Sequence, residues 1–189
     1  MDMLERYCGS ILGLATGEAL GLPWTGCPRG SFERISGLAQ GGVHRVTYGE
    51  WGAHTALAMC LAESLVRHPQ WLPSDAADRF RQWYRAGYWS SRDEAFGGGP
   101  LTLAAIEHRE ATGEIFAAAP DAVRAGGESL AHIVPAALAF AGQPRLFEVV
   151  EAASRLTHAA PASREACRVF AHLLAGAVSG LDKVQLLSP

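Results

Sequence analysis

Apolar residues recur at helical spacing along most of this chain, and few stretches alternate with period two. The pattern predicts helices over residues 4–20, 54–67, 74–87, 101–112, 129–141, 144–157 and 161–179. In the second of these, Leu57, Leu61 and Leu65 with Ala58 and Ala62 form the apolar stripe. The third is expected to be capped by Ser74 or Asp75, to turn Phe80, Trp83 and Tyr84 inward and to stop at Gly87. Pro144 and Pro161 suit first helical positions, and Gly142 and Gly180 suit stops. Between residues 21 and 52, prolines and glycines break every period, so a long irregular connection is expected, with a short extended piece at residues 43–46.

The first helix carries Gly9, Gly13, Gly17 and Gly21 at a spacing of four, which strips side chains from one face. An interior glycine costs about 1 kcal/mol relative to alanine, so the row needs a reason. Close helix–helix packing is the expected one, and approach of a ligand is the alternative.

Composition narrows the function classes. About half of the 189 residues are hydrophobic (49%) and 19% are charged, a globular balance of a size suited to one domain. The net charge of −3 comes without blocks of like charge, so neither a nucleic-acid nor a membrane-surface partner is expected. Acids precede any apolar run at the N-terminus, which does not read as a signal peptide, and no apolar stretch is long enough to span a bilayer. Cys8, Cys27, Cys60 and Cys167 are scattered and read as reduced thiols, Cys60 and Cys167 as buried ones, so a cytoplasmic location is expected. The run Gly97-Gly98-Gly99-Pro100 does not follow a strand, which argues against a dinucleotide fingerprint.

Five segments, in order, resemble the ADP-ribosylglycohydrolase family, the group related to the dinitrogenase-reductase-activating glycohydrolase and the J1 crystallins. Residues 9–23, GSILGLATGEALGLP, are similar to its opening G-x-L-x-G-x-A-x-G-D-A-x-G-x-P. Trp51-Gly52-Ala53-His54-Thr55 stands where the family has W-T-D-D-T. Phe80-Arg81-Gln82-Trp83 with Gly97-Gly98-Gly99-Pro100-Leu101-Thr102 forms the third segment. Residues 129–135, SLAHIVP, resemble N-G-S-L-M-R-I-x-P, and Leu156-Thr157-His158 resembles the family's L-T-H. Together they span nearly the whole chain. The resemblance implies an all-α fold, a compact orthogonal helical array, over a single domain of residues 1–189 that lacks the C-terminal part of the family fold.

The same resemblance implies chemistry that the residues do not supply. Family hydrolases are similar in using two Mg²⁺ or Mn²⁺ ions, held by T-D-D carboxylates and a late D-x-D-T motif beside the ribose C1 of ADP-ribose. Such hard cations prefer oxygen ligands. Here the T-D-D positions read Gly52, Ala53 and His54, and in residues 181–189 Asp182 stands alone. Glu18 replaces the opening motif's Asp, Gly127 stands for Asn, Glu128 for Gly, and His132 for a phosphate-binding Arg. No metal cofactor is therefore expected; a site of His54, His132 and His158 is the alternative, because imidazoles bind zinc.

The remaining candidates for ligand contact are Glu18, Trp24, Trp51, His54, Thr55, Ser129, His132 and His158, with Glu18 the candidate catalytic carboxylate. Their structural readings are a packed acid at Glu18, loop anchors at Trp24 and Trp51, and a capping or packed His158. The expectation is a pseudoenzyme that acts by binding, with residual ADP-ribose binding, docking to or neutralising an ADP-ribosyltransferase or another protein. An active ADP-ribosyl hydrolase with an altered or partner-completed metal site is the alternative, and a structural crystallin-like protein is a third. The apolar breadth of the last long helix, with Phe170 and Leu174, leads to an expected homodimer or protein partner there, unless Leu186 and Leu187 fold back over it.

Overall fold

The computed structural model describes residues 2–117 and 125–187. Those residues form an all-α fold: α1 (Met3–Gly21), α2 (Ala53–Arg67), α3 (Pro73–Ala86), α4 (Pro100–Thr112), α5 (Ser129–His132), α6 (Val134–Ala139), α7 (Leu146–Arg155), α8 (Pro161–Val178) and α9 (Lys183–Leu187). A 3-10 turn, Leu22–Trp24, follows α1 directly. Among the described residues no helix is long and apolar enough to cross a membrane.

Helix α2 is the hub, packing against α1, α3, α5 and α6. Its Leu57, Leu61 and Leu65 meet Phe80 and Trp83 of α3, Ile133, and Val149 and Val150 of α7 in one continuous core. A second, smaller cluster joins Tyr7, Ile11 and Leu14 of α1 to Val134, Leu138 and Val178. Cys60 and Cys167 are buried and Cys8 and Cys27 exposed. Burial pushes both buried thiols up, which keeps them protonated and unreactive.

Several elements depart from the sequence expectation. Helix α3 starts at Pro73, whose missing N–H suits the first turn; Asp75 caps nothing and pairs with Arg79 at 2.7 Å. The helix expected over residues 129–141 is two short ones, interrupted at Ile133 two residues before Pro135, which has no N–H to continue the first. The expected extended piece at residues 43–46 is a turn, closed by an isolated antiparallel bridge between Gly41 and Val46. Past α8 the chain turns back, placing Leu181 and Leu186 against Gly176, while Leu187 stays exposed. Residues 118–124 and 188–189, which include part of the predicted tail, lie outside the described residues.

The glycine row is the main correction. A Cβ at Gly9, Gly13, Gly17 or Gly21 would meet nothing within 4 Å, so no neighbouring helix approaches that face. Of the nineteen residues of α1, only Ala19 is buried. The helix is started instead by its own capping box, in which Asp2 and Glu5 each accept the other's backbone N–H at 2.8 and 2.7 Å. With open space beside it, Gly17→Ala is expected to stabilise the fold by up to about 1 kcal/mol through helix propensity alone. A thermal melt checks this, and a lowered midpoint would mean that the face is packed after all.

Candidate functional site

The bare face of α1 forms one wall of a cavity of about 560 Å³. Gly13, Gly17 and Gly21 line it with Leu14, Glu18 and Leu22; His54 of α2, Thr25 and His44 of the long connection, Gly97, Gly127, Leu130 and Ala131 complete it. Backbone rather than side chain thus makes much of the surface, which lets a ligand lie close against a helix.

At the inner end the N-terminus of α2 points its free amides at Glu18. The N-cap residue Gly52 has no side chain to cap the helix, and the carboxylate arrives from α1 instead. One oxygen, Oε1, accepts from the backbone N–H of His54 at 3.0 Å and from its Nδ1 at 2.9 Å; Oε2 accepts from the N–H of Thr55 at 2.8 Å. A Cβ at Gly52 would sit 3.1 Å from that same Oε1, a tight contact that the glycine avoids. Burial pushes the Glu18 carboxyl up, but the hydrogen bonds from His54 and Thr55 and the imidazole charge outweigh it, and its pKa lies below the usual carboxylate value. The Glu18 hydrogen bond, opposed by burial, raises the His54 pKa above its ordinary value. The Glu18 side chain is only 5% exposed and that of His54 is 38% exposed, so the acid is a fixed support and the imidazole faces the opening.

A second polar cluster is built around Glu128, the residue after Gly127 of the cavity wall. Glu128 accepts from the Thr102 hydroxyl at 2.7 Å, and His158 Nε2 stands 3.9 Å from the same carboxylate oxygen. Thr157 Oγ1 contacts His158 Nδ1 at 2.7 Å. Gly99 and Gly126 make room for this cluster, since a Cβ on either would press on Glu128 or on His158. Burial pushes the His158 pKa down, so its imidazole is neutral.

The other candidates lie apart from the opening. His132 is fully buried, edge-on to Phe80 with ring centroids 5.3 Å apart, and its Nε2 is 3.3 Å from the Ala153 carbonyl. Burial drives its pKa down to about 3, so it gives no cationic substitute for an arginine. Ser129 is buried between Ser154 (3.0 Å) and Cys167 (3.4 Å), with no base beside it. Trp24 stacks on Phe32 with centroids 5.2 Å apart, and Trp51 donates from Nε1 to the Trp89 carbonyl at 3.0 Å, so both anchor loops. Trp89 and Tyr88 in turn donate to Glu63 of α2 at 3.0 and 2.6 Å. The Tyr88 and Trp89 hydrogen bonds, aided by Arg67 and Arg79, hold Glu63 down at about 2.

The sequence reading missed His44, Thr25 and Gly97, which sit in irregular segments where periodicity carries no signal. Among the described residues, no three His, Cys, Asp or Glu come together as a metal site, so the His54, His132 and His158 trio is not assembled. The donors do not fit a pair of hard cations either. Gly52 and Ala53 present no oxygen side chain, and the Glu18 carboxylate is turned onto the N–H donors of His54 and Thr55.

In this all-α chain the first helix turns a glycine face into a cavity, and its own Glu18 carboxylate caps the start of the next helix. The chain belongs to the ADP-ribosylglycohydrolase family, whose model matches residues 1–189. It is 31% identical over 188 residues to the ADP-ribosylarginine hydrolase Tri1 of Pseudomonas putida (strain GB-1), covering 98% of this chain and 50% of that protein. It is 27% identical over 189 residues to the protein of the same name from Serratia proteamaculans (strain 568), covering 51% of it. A solved structure described as an ADP-ribosylglycohydrolase-related protein complex superposes with a TM-score of 0.85 at 36% identity, over 98% of this chain and 60% of that one. The chain thus spans about half the length of the curated relatives it matches.

Proposed function

We propose that this chain recognises ADP-ribosyl groups in the α1 cavity and acts by binding them, without the two-metal hydrolysis that the family resemblance implies. The observation that carries the reading is the N-terminus of α2. Where the family motif has carboxylates, this chain has Gly52, Ala53 and His54, and Glu18 is committed to capping the helix. The open glycine face supplies a large concave surface with few polar groups, the usual character of a small-molecule site. The curated relatives are named for acting on ADP-ribosylarginine, so arginine-linked ADP-ribose is the group to test, free or on a modified protein partner.

Calorimetric titration decides between this reading and an active hydrolase with an altered metal site. ADP-ribose is expected to bind with an affinity that Mg²⁺ and Mn²⁺ leave unchanged, and titration of either ion alone is expected to show no stoichiometric isotherm at micromolar concentration. A two-ion isotherm, or ADP-ribose binding that requires metal, would restore the metal-dependent enzyme.

A further inference from the structure

His44 reaches the cavity wall from the long connection, where no helix fixes the direction of a side chain. Its ring nitrogens meet no hydrogen-bond partner among the described residues, so they are free to meet a ligand. The turn that carries it is held from several sides. Gly41 and Val46 bridge across the turn at 2.8 and 2.9 Å, and Val46 is buried. A Cβ on Gly42 would overlap the Pro23 carbonyl, so the turn lies directly on the backbone that follows α1. Arg45 sits at φ 50°, a left-handed conformation that a non-glycine residue keeps only where its surroundings impose it.

Arg92 supplies the outer hold. Its guanidinium donates to the His44 carbonyl at 2.9 Å and to Glu50 at 2.8 Å, and Glu50 also accepts from the Thr47 N–H at 2.8 Å. The same guanidinium lies over the Phe96 ring, 3.8 Å from its centroid. The His44 imidazole stands against that ring too, with centroids 6.0 Å apart. One cation thus fixes both the backbone of His44 and the surface on which its ring rests, while Arg92 itself does not line the cavity. The segment that bears Arg92 is in turn pinned to the end of the connection, where the Ser91 hydroxyl donates to the Trp51 carbonyl at 2.8 Å.

We propose that Arg92 is a positioning residue for this site: it acts through His44, whose imidazole it holds at the cavity wall as a hydrogen-bonding contact for the bound ADP-ribosyl group. The proposal rests on the ADP-ribosyl recognition proposed above. The cavity lining has no Lys or Arg, so imidazole, hydroxyl and backbone N–H groups are the donors it offers to the polar atoms of such a ligand. A planar guanidinium suits the holding role, because it can stack on Phe96 and donate to two acceptors at once, which a lysine ammonium does not reproduce.

The test titrates ADP-ribose calorimetrically into wild type, Arg92→Ala, Arg92→Lys, His44→Ala and the Arg92→Ala/His44→Ala double variant. Each single variant is expected to weaken binding by about 3- to 10-fold, the worth of one hydrogen bond. The double variant is expected to bind no more weakly than His44→Ala alone, because the two residues act as a unit. In the ligand-free protein, the His44 ring signals in the NMR spectrum, assigned by their loss in His44→Ala, should move in both Arg92 variants. Arg92→Lys carries the comparison if Arg92→Ala fails to fold. Losses that multiply in the double variant, or wild-type affinity in Arg92→Lys, would show that Arg92 acts independently or by charge alone and would overturn the proposal. Unmoved His44 signals in a wild-type protein that binds ADP-ribose would overturn the positioning and leave recognition standing. A wild type that binds no ADP-ribose would defeat recognition itself, and the His44 contact with it.

Discussion

Trp83→Ala is expected to destabilise the protein by about 3–5 kcal/mol, the range for truncating a fully buried large aromatic. Trp83 has no exposed surface and sits in the main core beside Phe80. Its ring also supports the site, since a Cβ on Gly98 would come within 2.8 Å of it, so the Gly97–Gly99 run lies directly on the indole. Removing the ring leaves a void under the segment that carries Gly97 to the cavity wall and Gly99 to Glu128. For a chain of this size each kcal/mol moves the melting midpoint by about 2–4 °C, so a fall of about 6–20 °C is expected. Trp83→Phe should cost substantially less, because it keeps an aromatic in place and removes an indole N–H that meets no acceptor among the described residues. Equal melts for the alanine and phenylalanine variants would contradict this account of the core.

Glu18→Ala is expected to cost about 2–3 kcal/mol, because it strips the α2 N-terminus of its cap and leaves buried N–H donors unpaired. Glu18→Gln keeps an acceptor and isolates the charge. The pH dependence of the difference between wild type and Glu18→Gln has a definite sign. Glu18 has a depressed pKa, so its contribution is present above its ordinary value of 4.5 and fades as pH falls through the folded value. His54 has a raised pKa, so its contribution is fully present below its ordinary value of 6.5 and fades as pH rises through the folded value. The stability difference is therefore expected to be largest between about pH 4.5 and 6.5 and to shrink on both sides. Urea titrations across pH 3 to 9 measure it, and a difference that stays flat would mean that the carboxylate acts only as an uncharged cap.

Much of the fold was legible because helix formation leaves a local, periodic trace. Leu57, Leu61 and Leu65 marked the buried stripe of α2, and Phe80 and Trp83 the inner face of α3, since burial on one face repeats every three or four residues. Family membership was legible from motif order along the chain. The role of the glycine row was not. A face without side chains looks the same in sequence whether a helix, a ligand or open space lies against it, and here it borders a cavity. His132 shows a similar limit. Its place in a motif pointed to the ligand side, yet it is packed edge-on to Phe80 in the core.

By itself, then, the sequence determined that this is an all-α member of its family, and that the T-D-D positions hold Gly52, Ala53 and His54. Only the tertiary structure decided that Glu18, more than thirty residues earlier, would cap α2 and fix the His54 imidazole at 2.9 Å. It likewise brought His44, Thr25 and Gly97 from irregular segments into one cavity. The division follows from range. Propensity and periodicity act over a few residues and can be read from them, whereas a cap supplied by another helix depends on how two helices pack, which no local pattern encodes.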